Sequence, residues 1–302
     1  MTRHFLEVDD LSPAELASVL DLAELAHPRQ VLAGRGVALL FEKPSLRTRN
    51  ATEMAVVQLG GHPVSLRADE VDLDGREPAT DAARVLGRYH AAIGARVFDH
   101  RRLEAMAGAA GVPVINLLSD RAHPAQALAD VLTLRQRWGS LAGRIVAWVG
   151  DGNNVCRSLV LAASMGGAAV RVATPPGFAL DPGTLHRAAE LGGRVTVATR
   201  PQAAVEGADA VATDVWASMG QEAEAAARRR SFEGFGVDEA LMARAAPGAA
   251  FLHCLPAHRG EEVAAAVVDG DQSVVWQQAE NRMHAMRGLL LFLFTDGAPA
   301  AG

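Results

Sequence analysis

Short apolar runs alternate with segments of helical spacing along almost the whole sequence. The runs predicted to be strands are residues 37–41, 93–98, 112–117, 145–149, 169–173, 195–198, 208–212, 250–253 and 274–276. Strands that alternate with helices are typical of a parallel sheet covered by helices, because each parallel connection has to cross a face of the sheet. The sequence therefore predicts an α/β fold.

Two segments between these runs show the clearest helical pattern. Residues 49–59 place apolar side chains near one face and stop at Gly60-Gly61, which is typical of a helix C-terminus. Residues 124–138 form a second predicted helix, and a polar break follows it. We place the domain boundary at this break, which predicts two doubly wound domains over residues 1–138 and 139–302, each a mostly parallel sheet covered by helices.

The composition indicates a globular protein and excludes several classes. Of the 302 residues, 49% are hydrophobic and 21% charged, and the formal net charge of −6 speaks against a nucleic-acid-binding surface. The longest apolar run, residues 288–294, is far shorter than the roughly 20 residues that span a membrane. The N-terminus is too acidic for a signal peptide, and Cys156 and Cys254 are too few for a disulfide scaffold or a zinc cluster. We therefore expect a cytoplasmic enzyme without nucleic-acid or membrane partners.

The segment Ser45-Leu-Arg-Thr-Arg49 follows a predicted strand and opens a predicted helix. This placement directs free backbone N–H groups and the positive end of the helix dipole at one point. Ser45 and Thr48 add hydroxyl groups, and Arg47 and Arg49 add guanidinium groups suited to phosphate oxygens. The alternative is a capping serine followed by two solvated arginines.

Four further motifs also follow predicted strands, and each has an ordinary interpretation as a helix cap, a loop entry or a small buried cysteine. They are His123-Pro-Ala-Gln126, Val149-Gly-Asp-Gly-Asn-Asn154, Asp214-Val-Trp-Ala-Ser-Met-Gly220 and His253-Cys-Leu-Pro256. Ligands of open α/β sheets bind at the carboxyl ends of the strands, so the shared position favours one functional site. Residues 217–236 are charged and lack a predicted strand, so we expect a long mobile loop there.

The Gly150-x-Gly152 turn leaves a nicotinamide-dependent oxidoreductase as an alternative of a different class. Val155 stands where the dinucleotide fingerprint has its third glycine, and residues 170–177 contain no acidic residue to bind ribose. The turn is therefore weak evidence for a dinucleotide. A non-catalytic protein that only binds the ligand is a third hypothesis.

Taken together, these motifs resemble those of the aspartate/ornithine carbamoyltransferase family. Ser45–Arg49 is similar to its carbamoyl-phosphate loop, and His123-Pro-Ala-Gln126 to its His-Pro-x-Gln motif. Asp214 with Ser218-Met219-Gly220, and the His253-Cys-Leu-Pro256 motif, resemble the ornithine-type branch, since aspartate-type members carry neither. Glu280-Asn-Arg282 resembles the last motif of the family, and the similarity runs from about residue 3 to about residue 295.

The resemblance implies transfer of a carbamoyl group from carbamoyl phosphate to the side-chain amine of L-ornithine, giving L-citrulline and phosphate in arginine biosynthesis. The residues implied to bind carbamoyl phosphate are Ser45, Leu46, Arg47, Thr48, Arg96, His123, Gln126, Cys254, Leu255 and Arg282. Those implied to bind ornithine are Asn154, Asp214, Ser218 and Met219. Arg96, His123 and Cys254 are implied to act in catalysis.

The resemblance also implies an assembly, a homotrimer or a multiple of trimers with sites between subunits, and it implies neither a metal nor an organic cofactor. A C-terminal helix at about residues 279–295 is implied to pack back on the first domain. Putrescine or an acylated ornithine stays open as the acceptor. A carboxylate at Asp214 favours a free α-amino acid, because it can pair with the α-ammonium group.

The sequence departs from the family pattern at two places. Leu46 stands where a threonine is common, which matters little if the position acts through its backbone N–H. The loop at residues 67–78 lacks the glutamine that family members commonly offer to a neighbouring subunit, and it carries five carboxylates instead. Arg76 is the nearest cation that can replace the glutamine, and a solvated charged turn is the alternative.

Overall fold

The computed structural model describes residues 2–217 and 224–295. The described chain forms two compact units. Residues up to Ala129, together with those from Glu280 onward, form the first unit, and Asp130–Ala279 form the second. No helix in the described ranges combines the length and the apolar composition needed to cross a membrane.

The first unit contains a parallel sheet of four strands in the order β2-β1-β3-β4. Its strands are β1 (Gly36–Phe41), β2 (His62–Arg67), β3 (Ala92–Arg96) and β4 (Val114–Leu118). Its helices, besides a 3₁₀ turn at Val8–Asp10, are α1 (Pro13–Ala23), α2 (Arg47–Gln58), α3 (Ala68–Val71), α4 (Ala79–Tyr89), α5 (His100–Ala109) and the start of α6 (Pro124–Trp138). One core lies between the sheet and helices α4 and α5, where Leu40, Ile93, Leu103 and Met106 are fully buried.

The second unit contains a parallel sheet of five strands in the order β7-β6-β5-β8-β9. Its strands are β5 (Ile145–Val149), β6 (Ala169–Ala173), β7 (Arg194–Ala198), β8 (Ala210–Thr213) and β9 (Ala250–His253). The helices that follow α6 in the chain are α7 (Asn154–Met165), α8 (Pro182–Glu190), α9 (Pro201–Val205), α10 (Ala225–Ser231), α11 (Glu239–Met242), α12 (Ala265–Val268) and α13 (Val275–Phe294).

The C-terminal part of α13 belongs to the first unit and packs closely on α1. A Cβ atom at Gly288 would lie 2.4 Å from the Val19 carbonyl oxygen, so only glycine allows this approach. The buried Arg287 guanidinium donates hydrogen bonds to the carbonyls of Ala23 and Leu25, which lack helical partners at the end of α1. The expected return of the C-terminal helix to the first domain is confirmed.

The predicted α/β class with two parallel, helix-covered sheets is also confirmed, but three local predictions were wrong. The sequence pattern missed β2, because this edge strand contains Pro63 and has no fully buried residue. Residues 274–276 were predicted to be a strand, but only an isolated bridge joins Ser273 to Phe251, and α13 starts at Val275. The supposed loop at 217–236 contains helix α10.

Each sheet has one position where the chain reverses the direction in which it adds strands. In the first unit the chain leaves β1 toward β2 and returns to β3 on the other side of β1. In the second unit it leaves β5 toward β6 and β7 and returns to β8 on the other side of β5. Connections on opposite faces leave a crevice at such a point, and ligands of doubly wound sheets bind there.

Candidate active site

The loop after β1 lies at the crevice of the first unit. Helix α2 begins at Arg47, and no described side chain caps its N-terminal end. Ser45 therefore does not act as the capping serine of the alternative interpretation; its Oγ accepts a hydrogen bond from Arg96 Nη1 over 3.3 Å. Leu46 is 73% exposed, which directs its side chain away and leaves its backbone in the loop. The first turn of α2 thus offers free N–H groups to an anion.

Two arginine side chains meet at one hydroxyl group in this unit. Arg96 Nη1 lies 3.5 Å and Arg282 Nη2 lies 2.6 Å from Thr48 Oγ1, and all three side chains are buried. The register between β3 and β4 shifts at Ala95/Arg96, and such irregularities re-aim a side chain at the end of a strand. Two positive charges this close repel one another, so an anion bound beside them is strongly favoured.

The two arginines of the Ser45–Arg49 segment, Arg47 and Arg49, differ in their surroundings. Arg49 Nε forms an ion pair with Glu53 over 3.1 Å, and its guanidinium lies over the Phe41 ring, so it is directed away from the loop. Arg47 is half-buried and forms no ion pair with any residue in the described ranges. Of these two, only Arg47 is available to a phosphate group.

His123 and Gln126 are buried at the start of α6, where Pro124 occupies the first helical position. Burial lowers the pKa of His123 well below its ordinary value, and the nearby Arg282 and Arg96 lower it further. The imidazole is therefore neutral at physiological pH and can donate one hydrogen bond without adding a third positive charge. Buried Asn116 shapes the turn before His123 by donating to the Ala122 carbonyl.

In the second unit, Asp214 follows β8 and Cys254 follows β9, and the two side chains are in contact. Cys254 Sγ donates a hydrogen bond to Asp214 Oδ1 over 3.0 Å, and Asn153 Nδ2 donates to Asp214 Oδ2 over 2.9 Å. Asp214 is 5% exposed, so this carboxylate is held in one orientation and offers its charge in one direction. The sulfur is a protonated thiol in this arrangement.

Sequence reasoning singled out Asn154 and missed Asn153. Asn153 caps α7, because its Oδ1 accepts hydrogen bonds from the N–H groups of Val155 and Cys156, both over 3.0 Å. The same side chain then contacts Asp214 through its amide nitrogen. The preference for asparagine at a helix N-cap was the available signal. Asn154 is the first residue of α7 and is half-buried.

The turn at residues 253–256 is held by a buried network that sequence reasoning also missed. His253 Nδ1 accepts a hydrogen bond from the Leu255 N–H over 2.9 Å, so its proton lies on Nε2, which is 3.1 Å from Glu262 Oε1. This supports Leu255 in a left-handed conformation at φ 58°, which is unfavourable for a branched residue. The His253 N–H donates to Gln278, which is itself bonded to Asp130.

Within residues 2–217 and 224–295, two clusters have the composition of a metal site. Asp214, His253 and Cys254 present ligand atoms within 4.8 Å of one another, as do His258, Glu261 and Glu262. Both ring nitrogens of His253 are engaged, and Glu261 pairs with Arg229, so a metal ion would have to displace these partners. Neither arrangement fits a resident metal well.

Two further predictions concern Ser218 and Met219 and the loop at residues 67–78. Ser218 and Met219 lie outside the described residues. In the loop at residues 67–78, Asp69 pairs with Arg67 and Asp74 with Arg102. Arg76 is exposed and forms no ion pair within the described part of the chain.

The chain is similar to known proteins over its whole length. The family model of the aspartate/ornithine carbamoyltransferase carbamoyl-P binding domain matches residues 3–136, and that of the Asp/Orn binding domain matches residues 142–293. The ornithine carbamoyltransferase of Acidothermus cellulolyticus is 52% identical, over 100% of this chain and 99% of the relative.

Solved structures show the same similarity. The ornithine carbamoyltransferase of Pyrococcus furiosus has a TM-score of 0.92 at 46% identity, and the alignment covers 98% of both chains. An anabolic ornithine carbamoyltransferase of Campylobacter jejuni also has a TM-score of 0.92, at 36% identity, over 98% of this chain and 100% of the other.

Proposed function

Since the chain belongs to the aspartate/ornithine carbamoyltransferase family, we propose that it transfers the carbamoyl group of carbamoyl phosphate to the side-chain amine of L-ornithine. The products are L-citrulline and phosphate, and the direction is that of arginine biosynthesis. The observation that carries this proposal is the meeting of Arg96 and Arg282 at the Thr48 hydroxyl, close to neutral His123. The phosphate group of an acyl phosphate needs concentrated positive charge, whereas the carbonyl next to it needs a neutral donor.

In this proposal, residues 1–138 bind carbamoyl phosphate and residues 139–302 bind ornithine. The phosphate group is bound by the Ser45 and Thr48 hydroxyls, the Leu46 backbone N–H and the Arg47 guanidinium. These groups belong to the uncapped N-terminal end of α2 and the loop before it, which supports an anion there. Arg282 contacts Thr48 and adds its charge to the same phosphate.

The carbamoyl oxygen is bound by Arg96, His123 and Gln126 in this proposal. When an amine attacks the carbamoyl carbon, this oxygen gains negative charge in a tetrahedral intermediate. Donors that are already aimed at a developing oxyanion stabilise it by several kcal/mol, because they do not have to reorient during the reaction. A neutral His123 suits this role, since it donates without placing a third positive charge beside Arg96 and Arg282.

Ornithine is bound by Asn154, Asp214, Ser218 and Met219. The Asp214 carboxylate pairs with the α-ammonium of a free amino acid, and its two fixed hydrogen bonds support a specific orientation. An N-acylated ornithine has lost this ammonium, and putrescine has no α-carboxylate for the remaining donors. The geometry of Asp214 thus favours ornithine over both alternatives.

The reacting amine must lose its proton before it attacks. A free primary amine of this kind has a pKa near 10.4 and is mostly protonated at neutral pH, so only its neutral form is a nucleophile. In this proposal Cys254 and Leu255 orient this amine, and the Cys254 thiol, which donates to Asp214, forms no covalent intermediate. The proton that the ammonium form loses before the attack goes to solvent. The departing phosphate takes up the second proton, which the nitrogen loses after the C–N bond has formed.

The proposal extends to the assembly and location of the protein. Family resemblance supports a homotrimer, or a multiple of trimers, in the cytoplasm, with active sites shared between subunits. Light scattering tests the assembly, since a trimer has three times the chain mass of 31.7 kDa. A mass of one or two chains at assay concentrations would contradict it.

The activity is tested by incubating the purified protein with carbamoyl phosphate and one of four acceptors: ornithine, putrescine, N-acetylornithine or aspartate. Citrulline formation and phosphate release are both measured, because phosphate alone also reports hydrolysis. We expect stoichiometric citrulline and phosphate with ornithine and only background release with the others. Faster turnover of another acceptor would replace ornithine in the proposal, and no turnover with any of them would overturn it.

A further inference from the structure

Arg228 links the two backbone segments that carry Asp214 and Asn153. Its side chain is 11% exposed although it lies on the short helix α10. Arg228 Nη1 donates to Asp151 Oδ2 over 2.7 Å and to the Trp216 carbonyl oxygen over 3.0 Å. The guanidinium also lies over the Phe178 ring, 5.1 Å from its centroid. Arg228 Nε also pairs with the exposed Glu224 over 3.2 Å. Three half-buried partners and one exposed partner thus hold this side chain in a specific position.

The partners of Arg228 complete a ring of contacts around Asp214. Asp151 lies two residues before Asn153, and Trp216 lies two residues after Asp214. Asn153 in turn donates to the Asp214 carboxylate. Because Arg228 holds Asp151 and Trp216 at once, it closes the turn after β5 onto the segment after β8. The orientation of Asp214 therefore depends on a residue that lies in neither segment.

Packing around Arg228 makes the link rigid. The Trp216 ring stacks on Phe232 with centroids 5.6 Å apart, and Phe178 lies against Phe232 at 4.7 Å. Phe232 is fully buried and immediately follows α10. Movement of Arg228 would thus disturb an aromatic cluster as well as two hydrogen bonds.

Arg228 also compensates a second carboxylate near Asp214. Asp151 is largely buried, and this burial raises the pKa of its carboxyl group. The nearby Asp214 also raises this pKa, whereas the ion pair with Arg228 opposes the increase. Among the described residues, the other titratable groups beside this pair are the exposed Glu224, which pairs with Arg228 Nε over 3.2 Å, the buried Cys156 thiol on α7 and the Cys254 thiol after β9. Without Arg228, the negative charge of Asp151 would be uncompensated beside that of Asp214.

We propose that Arg228 is a positioning residue for ornithine: it fixes the Asp214 segment and neutralises Asp151, so that Asp214 alone presents its negative charge to the α-ammonium group. The inference rests on the proposed function. It predicts a role for Arg228 in the binding of the amino acid and none in the binding of carbamoyl phosphate.

The test compares Arg228→Gln, Arg228→Lys and the control Arg229→Gln. Arg229 is the adjacent residue, but it is exposed and pairs with Glu261 instead. We expect Arg228→Gln to raise the KM for ornithine by about 10- to 100-fold and to change the KM for carbamoyl phosphate by less than about twofold. The KM of Arg228→Lys for ornithine should lie between those of the wild type and Arg228→Gln, since lysine keeps the charge but cannot replace both hydrogen bonds of the guanidinium. Arg229→Gln should match the wild type.

A double variant separates charge from packing. Asp151→Asn in the Arg228→Gln background removes the uncompensated carboxylate, so part of the ornithine affinity should return. No recovery of ornithine affinity in the double variant would overturn the charge argument.

Four further outcomes are decisive. Equal rises in both KM values, or an effect of Arg229→Gln as large as that of Arg228→Gln, would overturn the inference. If Arg228→Gln does not fold, Arg228→Lys and Asp151→Asn are compared in the same assays, and unchanged ornithine KM in the lysine variant would contradict the role. Wild-type protein that makes no citrulline would overturn the proposed function instead, so the two failures are distinguishable.

Discussion

The Cys254 thiol donates its hydrogen bond to the Asp214 carboxylate over 3.0 Å, although 40 positions separate the two residues in the chain. The contact brings a potential nucleophile and a potential ammonium anchor together and gives each a different task. In the proposed function, Cys254 orients the reacting amine. Asp214, both of whose oxygens accept hydrogen bonds, binds the α-ammonium group there.

Cys254→Ser should keep the fold and retain reduced activity. A serine hydroxyl also donates to Asp214, but its shorter bond changes the geometry, so we expect a loss of about tenfold in kcat/KM. Steady-state kinetics measure the loss, and circular dichroism checks the fold. If Cys254 were a covalent nucleophile, mass spectrometry of wild-type protein during turnover would detect a carbamoylated chain, and this adduct would refute direct transfer.

Arg47→Ala should lower the turnover rate by on the order of 10²-fold or more, because the phosphate group loses one of the donors that stabilise its negative charge in the transition state. Arg47→Lys should restore little of it, since an ammonium group cannot reproduce two parallel hydrogen bonds. Arg49→Ala is the matched control. Arg49 lies two positions further on and already pairs with Glu53, so its removal should leave the rate within about threefold of wild type. Near-normal rates in both Arg47 variants would contradict phosphate binding by this residue.

The stability of the protein should fall as the pH drops below about 6.5, and His123 should contribute to this fall. Its pKa is lowered in the folded state, so below the ordinary histidine value the unfolded chain binds a proton that the folded chain does not. Each such proton lowers the unfolding free energy by up to about 1.4 kcal/mol per pH unit.

His123→Gln removes this contribution and leaves His4, His90 and His100, whose pKa values are also lowered by burial. Urea denaturation of both proteins between about pH 8 and pH 5 gives the difference in unfolding free energy. As the pH falls, we expect the unfolding free energy of the variant to decrease less than that of the wild type. A difference that stays constant across this range would contradict a neutral, buried His123.

Glu262→Ala should destabilise the protein by about 3 kcal/mol, because the His253 ring and the His258 N–H then lose their buried acceptor. Glu261→Ala is a close control. Its side chain forms a surface ion pair with Arg229, and its removal should cost no more than about 1 kcal/mol. Glu262→Gln keeps an acceptor oxygen, so its loss of unfolding free energy should lie between those of the two alanine variants. Urea denaturation measures all three, and equal losses in the two alanine variants would show that the buried network does not hold the 253–256 turn.

Elements with a strong pattern of their own were predictable from the sequence. Helix α6 has the predicted bounds, and so do β5, β6 and β9, because buried parallel strands are continuous apolar runs flanked by turns. Strand β2 was not predictable in this way, since only β1 pairs with it and a proline is tolerated at such an edge. The error at residues 274–276 has a related cause, because three apolar residues are too short a window to separate the first turn of a helix from a strand.

Local patterns in the amino-acid sequence predict which chemical groups are present and at which strand ends they stand, because the alternation of strands and turns is a local property of the chain. Which of these groups meet depends on how the strands and helices pack. Arg282 reaches Thr48 across 234 positions, and Asn153 rather than its neighbour contacts Asp214. Such contacts depend on strand order, on the register of neighbouring strands and on the rotamers that packing allows, and none of these is written in the spacing of residues along one segment.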